Sequence, residues 1–380
     1  MKHLAPACFR AFVCAGSACP DSCCRAGWEI VPDEETLTLY QNLSGAAGAR
    51  IRAGIVPGAA FPLRGRWHRA SPASPMTDEV AAEGSSYVSV IYSAAQTSNT
   101  DPLLRQDEAR VCTLLDPDGL CCVQKAFGHE ALCRVCREYP RFHREFGGLT
   151  EHGLSLSCPT AWTLAVSAPP TWEAWEDEAP PVPNELDAEA YLRLRRGRDL
   201  ALELLLREEL PLPRRLALVR RLAAALQAAP ERIVRHEYSI RLRRWSFLRE
   251  GPRSVGPSVA ALARRFLALE ILSPAWKDAL ERFAALAEAG QLPAELRQPE
   301  QSEAYARWLW YELYKYWMDA LDDGELLGRV DRSLDMLRLG MAMDRALPGE
   351  GPFLRRLSRE IEHCEENLAA MLDAEILKKP

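Results

Sequence analysis

Four thiols fall within eleven residues of this chain: Cys14, Cys19, Cys23 and Cys24, the last two adjacent. A second group follows far along the sequence, Cys112, Cys121, Cys122, Cys133 and Cys136, and Cys158 closes the set. Eleven of the twelve cysteines lie in the first 158 residues, and the remaining 222 carry only Cys364. A fold that accepts this pattern must either bring the clusters together or bury each thiol on its own. Thiolates are soft ligands suited to zinc and to iron–sulfur clusters. Free cysteines otherwise pack as small buried apolar groups.

The rest of the chain favours ligation over disulfides. At 380 residues, 48% apolar and 26% charged, it can bury a large core and needs no covalent staples. The segment Met1–Cys14 is interrupted by Pro6, Cys8 and Arg10 and has no small-residue cleavage site, so no signal peptide is expected. No stretch of about 20 apolar residues is uninterrupted, so no membrane span is expected either. A reducing cytoplasm is the expected compartment, and there clustered cysteines hold metal or do catalysis. The net charge of −6 gives no overall pull toward nucleic acid or an anionic membrane.

Spacing narrows the ligands. Cys133 and Cys136 are three apart and share a helical face, and Cys19 and Cys23, four apart, do the same. Cys23 and Cys24 cannot both point one way in regular structure, so one ligates while the other packs or reaches a second metal. Cys112, Cys121 and Cys158 join the site only if their segments fold back onto residues 14–24. The expected metal ligands are Cys14, Cys19, Cys23, Cys24, Cys112, Cys121, Cys133, Cys136 and Cys158. Cys8, Cys122 and Cys364 are expected to pack. A closed structural site of this kind contributes on the order of 10 kcal/mol to folding.

The expected fold class is α+β: a cysteine-rich metal-binding N-terminal module with short hairpins, followed by a mostly α-helical region. The module spans 1–167, with 44–109 as a variable Gly/Ala/Pro/Ser-rich insertion that shows no clear period. Within the insertion, Tyr87–Tyr92 reads as a short strand. Asp33–Tyr40 reads as a helix with acidic residues in its first turn. Val111–Val123 reads as a hairpin turning at Asp116–Gly119, and 123–138 as a helix or a pair of helical turns. A second hairpin runs 141–156 about Gly147-Gly148, and Thr160–Ser167 is a helix. The stretch 168–183 is an extended, proline-rich acidic linker. The helical region, 184–380, has helices expected at 187–208, 213–228, from Ser273-Pro274 to Gly290 with serine as cap, 302–322, 325–345 and 352–376.

Other residues carry weaker signals. Arg137, Arg141 and Arg144 could pair with a cofactor carboxylate or form a solvated basic edge. Trp28 and Tyr139 could flank an adenine, support the metal shell or pack in the core. His129, His143 and His152 lie near the second cluster, where one could complete a zinc site. The arginines at 232–249 read as a solvated helix face. The aromatic helix Tyr305–Trp317 reads as core.

Several stretches together resemble the flagellin lysine-N-methylase family. They are Leu4-Ala-Pro; Phe12-x-Cys14-x4-Cys19-Pro-Asp-x-Cys23-Cys24-x-x-Gly27-Trp28; Cys112-x-x-Leu115-Asp-x-Asp-Gly119-Leu-Cys121-x-x-Gln124; Leu132-Cys133-x-x-Cys136-Arg137-x-Tyr139-Pro140-Arg141; and Leu154-Ser-Leu-Ser-Cys158-Pro159. The resemblance covers roughly 1–43 and 110–166 and is weaker in the aromatic helix. The N-terminal part is also similar to a broader group of zinc- or iron-chelating domains. The resemblance implies methylation of flagellin lysine ε-amines, with S-adenosylmethionine and a [4Fe-4S] cluster as cofactors. Arg137 and Arg141 then become candidates for holding the cofactor. The radical-enzyme loop C-x3-C-x2-C is absent, since Ala26 follows Cys19-x3-Cys23 at the third position. No glycine-rich dinucleotide fingerprint follows a strand. No catalytic base is named by the sequence. Two other readings stand beside this one: a non-enzymatic zinc- or iron-binding module with a helical interaction domain, and a redox or iron-handling protein.

Overall fold

A computed structural model describes residues 1–57, 66–67, 101–181, 186–228, 257–293 and 299–372. Tyr87–Tyr92 and the arginines at 232–249 lie outside the described residues. The architecture is α+β: one four-stranded sheet, two two-residue strand pairs, and helices that dominate after residue 186.

The sheet consists of β1 (Lys2–Pro6), β2 (Arg141–Phe146), β3 (Leu149–Leu154) and β4 (Trp172–Glu176), in the order β2-β3-β1-β4. The hairpin β2–β3 turns at Gly147-Gly148, where Gly147 has φ of +61°. β1 runs parallel to β3 and antiparallel to β4. Trp172–Glu176, within the stretch read as a linker, is a strand of the sheet. β2 buries Phe142, Arg144 and Phe146 on one face, the period-2 pattern of a half-buried strand. Gly153 lies against the Phe142 ring, where a Cβ would come within 2.3 Å of it.

Short helices carry the cysteines and their supports. They are α1 (Glu34–Asn42), α2 (Gly45–Ala53), α3 (Cys122–Phe127), α4 (Arg134–Glu138) and α5 (Pro159–Ser167). Asp33 caps α1 by accepting the Thr36 amide at 2.9 Å. α2 lies in the stretch read as an aperiodic insertion. It buries only Gly48 and Ile51, so its packing face is too narrow to register as a period. The first hairpin is a correction: Val111–Val123 holds only single bridges, Gln106 to Cys112 and Leu115 to Cys121, around the Asp116–Gly119 turn.

The later helices are α6 (Ala188–Leu205), α7 (Leu212–Ala228), α8 (Val259–Leu267), α9 (Pro274–Glu288), α10 (Pro299–Tyr316), α11 (Leu326–Ala346), α12 (Phe353–Ile361) and α13 (Glu365–Ala370). α9 starts at Pro274, but Ser273 makes no capping bond with its side chain. The last expected helix is two helices, broken at Glu362–Cys364. The aromatic helix α10 is core: Trp308, Trp310, Tyr311 and Tyr314 are all buried. Its cluster also contains Phe142, Phe146 and Leu156 of the hairpin segment, so one apolar core joins the sheet to the helices.

Candidate functional site

Cys14, Cys19, Cys23, Cys24, Cys112, Cys121, Cys133, Cys136 and Cys158 all line one cavity of about 120 Å³. Four separate segments deliver them. Gly16, with φ of +56°, and a 3-10 turn at Gly16–Ala18 fold the first segment back on itself. The Cys112 amide donates to the Cys24 carbonyl at 2.9 Å, which ties the second segment to the first. The Tyr40 hydroxyl accepts the Cys133 amide at 3.1 Å and fixes the start of α4. Cys158 precedes Pro159 at the start of α5.

The adjacent pair corrects the spacing argument. Cys23–Arg25 is a 3-10 turn, neither strand nor α-helix, and both Cys23 and Cys24 line the cavity. A hydrogen bond from Cys23, aided by Ser22 and Arg25, draws the Cys24 thiol down to about 7 against the effect of burial. The same bond, then burial, pushes the Cys23 thiol up. Cys136 is raised likewise by its hydrogen bond with Cys133, then by burial. Burial raises Cys112 to about 12, with Cys24 adding to it, and raises Cys121 to about 11. Cys158 is raised by burial and by its neighbours Cys19 and Cys14. Cys23 feels Cys24 as well as Cys14 and Cys158, so the thiols of the first segment are electrostatically linked to those of the others. Each thiolate disfavours the next, the situation a bound cation reverses.

Among the described residues, no three of these sulfurs lie within 4.8 Å of one another; the one trio that close is Glu270, Cys364 and Glu366. The three cysteines expected to pack stand outside the cavity. Cys8 hydrogen-bonds the Tyr311 hydroxyl, Cys122 packs beside Tyr40, and Cys364 is buried near Glu270.

Arg137, Arg141, His129 and Tyr139 complete the wall. Arg137 donates to the Glu130 carbonyl at 3.1 Å, and Arg141 to the Phe12 carbonyl at 3.3 Å. Arg144 is neither at the cavity nor on a solvated edge: it is buried and pairs with Asp319 at 2.7 Å. His143 and His152 lie in a chain with His3, at 2.6 and 2.8 Å, stacked on Trp175 across the sheet. Trp28 is buried, lines a smaller adjoining pocket with Tyr139, and lies tilted against His363 with ring centroids 4.1 Å apart.

Sequence reading missed the back of the site. Asp21, on the cavity wall, pairs with Arg355 and Arg359 of α12, which hold its carboxyl down against burial. Arg359 also donates to the Arg25 carbonyl at 2.6 Å. The Cys19-Pro-Asp-x-Cys23 run was the available signal, since a carboxylate set among thiols and half-buried is held by a cation nearby. No described helix is long and apolar enough to cross a membrane.

No family model matches the sequence, and no solved structure matches it. Curated relatives do. The flagellar biosynthetic protein FliU of Salmonella muenchen is 27% identical over 164 residues, which are 43% of this chain and 76% of that protein. Lysine-N-methylases of Salmonella choleraesuis and Salmonella typhimurium are 26% and 27% identical over 164 residues, 43% of this chain. The match spans 32% of each of those methylases, about a third of their length. The chain is thus distantly related to proteins named lysine-N-methylase and flagellar biosynthetic protein FliU.

Proposed function

We propose that this protein is a lysine N-methyltransferase that acts on flagellin ε-amines in the cytoplasm, with S-adenosylmethionine as methyl donor and a [4Fe-4S] cluster held by cavity thiols. The methyltransferase role is supported by relatives named lysine-N-methylase. The observation that carries the site is the convergence of nine thiols from four segments on one cavity. A mononuclear tetrahedral site with Zn–S near 2.3 Å places its sulfurs about 3.8 Å apart. Among the described residues no three cavity sulfurs lie within 4.8 Å of one another, so they are not gathered as a mononuclear zinc site requires. When bound, a [4Fe-4S] cluster supplies an iron able to take the donor's amino and carboxylate groups, or an electron for its sulfonium.

The chain's own residues do the rest. Arg141 and Arg137 line the cavity and would pair with the donor's carboxylate. Tyr139 and the apolar side chains Leu104, Leu114 and Val123 keep the site dry, which favours a neutral amine. Anaerobic purification followed by iron, sulfide and zinc analysis tests the cofactor. Incubation with flagellin, donor and reductant, read by mass spectrometry, tests the activity. Zinc alone, with no sulfide and no methyl on lysine, supports the non-enzymatic metal-binding module instead.

A further inference from the structure

Behind Tyr139 lies a group of ionisable side chains that the site above does not use. Glu312 and Lys315 of α10 and Glu362 and His363, just past α12, are each no more than 3% exposed. Lys315 Nζ lies 2.5 Å from Glu362 Oε2. Ser155 Oγ donates to the same oxygen at 3.1 Å. Ser155 and Ser157 are linked Oγ to Oγ at 2.7 Å, and Ser157 Oγ meets the Tyr139 hydroxyl at 3.0 Å. Ser157 Oγ also lies 2.8 Å from His363 Nε2, a branch of the same chain.

Burying two carboxyls and an ammonium in an aromatic core costs several kcal/mol per ion, and apolar residues of equal volume would pack there without it. Burial, then Glu362, holds the Glu312 carboxyl well above the usual range. The Lys315 ammonium beside it holds the Glu362 carboxyl below that range despite burial. Arg332 faces Glu312, and Lys315 and Arg359 face His363, which burial keeps neutral. One acid and one carboxylate thus share the pocket.

We propose that Tyr139, Ser157 and Ser155 form a proton path from the thiol-lined cavity to the Glu312–Glu362 carboxyl pair, which serves as the base for an amine entering the cavity. The identity of the proton donor rests on the methyl-transfer reading; the path itself does not. A lysine amine must lose a proton before its nitrogen can take a methyl group. The ammonium N–H bond breaks and the nitrogen keeps the electron pair. The proton binds the Tyr139 oxygen as the Tyr139 hydroxyl proton moves to Ser157. The Ser157 proton moves to Ser155, and the Ser155 proton binds Glu362, which becomes a neutral acid. The reverse sequence returns the proton to the cavity once product leaves.

The test uses the full chain with Tyr139→Phe and Ser155→Ala, both conservative, with folding checked by circular dichroism. In single-turnover methylation of flagellin, each variant is expected to be slower by about 10²-fold at pH 7. The deficit should narrow as pH nears about 10.4, where the ammonium loses its proton to solvent unaided. Metal content and donor binding should stay at wild-type levels. In a second arm, infrared spectroscopy in D2O follows deuteration of the buried carboxylic acid, which should slow about tenfold or more in both variants. Unchanged rates, or a deficit flat with pH, overturn the proposal. If the wild type transfers no methyl, the methylation reading fails, and the exchange arm decides the path by itself: slowed deuteration upholds it and equal deuteration overturns it.

Discussion

Glu151→Gln isolates the contact that clamps the sheet to the helices. Glu151 of β3 accepts two hydrogen bonds from Arg198 of α6, at 2.5 and 2.6 Å, and both side chains are 1% exposed. The guanidinium also sits 5.3 Å above the Tyr314 ring. The substitution keeps the shape and removes the negative charge, leaving a buried cation with one neutral acceptor. Breaking a buried pair costs about 3–5 kcal/mol. The bond retained by the glutamine oxygen returns about 1 kcal/mol, so the expected loss is about 2–4 kcal/mol. Against a typical total of about 5–15 kcal/mol that is a large fraction. Urea unfolding, followed by far-ultraviolet circular dichroism and tryptophan fluorescence, should show a lower midpoint with an unchanged slope. Adding Arg198→Met should restore most of the loss, because it removes the orphaned cation. A single-variant loss below about 1 kcal/mol, or a double variant no better than the single, would refute the reasoning.

Other outcomes follow from the same geometry. Chelation of metal from the purified protein should lower Tm and expose thiols to alkylation; Cys133→Ser and Cys158→Ser should each lower iron content, whereas Cys122→Ser, outside the cavity, should not. Burial, then His143 and His3, lowers His152 to about 3, so it stays neutral in the fold while the unfolded chain takes up a proton below about pH 6.5. Stability should therefore be full above that pH and fall below it by up to about 1.4 kcal/mol per pH unit, less any screening by water; His152→Gln should flatten that slope in Tm scans. Gly153→Ala must displace the Phe142 ring and should cost about 1–3 kcal/mol in urea unfolding, with Phe142→Leu as a partial rescue. Asp21→Asn should leave the thiols in place yet weaken the hold of α12, seen as faster hydrogen exchange in residues 14–25.

What could be read in the sequence was what short range encodes. The β2–β3 hairpin announces itself through Gly147-Gly148, α9 through Pro274 and Gly290, and the aromatic face of α10 through its helical period. The set of nine thiols was legible too, because density and spacing are local properties. Pairing at long range was not. Nothing near Lys2–Pro6 says that it lies between β3 and a strand from the acidic linker. α2 was hidden because glycine and alanine pack by close approach rather than by an apolar stripe. The buried carboxyls were missed because Glu312 and Lys315 look like an ordinary surface pair. Set three apart inside a run of buried tryptophans and tyrosines, they were in fact the visible sign of a polar pocket.

The reach of α12 across the site has a consequence for how the protein is made. Arg359 bonds the Arg25 carbonyl over a sequence separation of 334 residues. A ribosome adding about 5–20 residues per second needs on the order of half a minute to cover that distance. Throughout that interval the thiols of residues 14–24 are outside the tunnel without the helix that backs them. Exposed for that long, these thiols are open to oxidation before the last helices arrive. The yield of folded protein should therefore rise when synthesis takes place under reducing conditions.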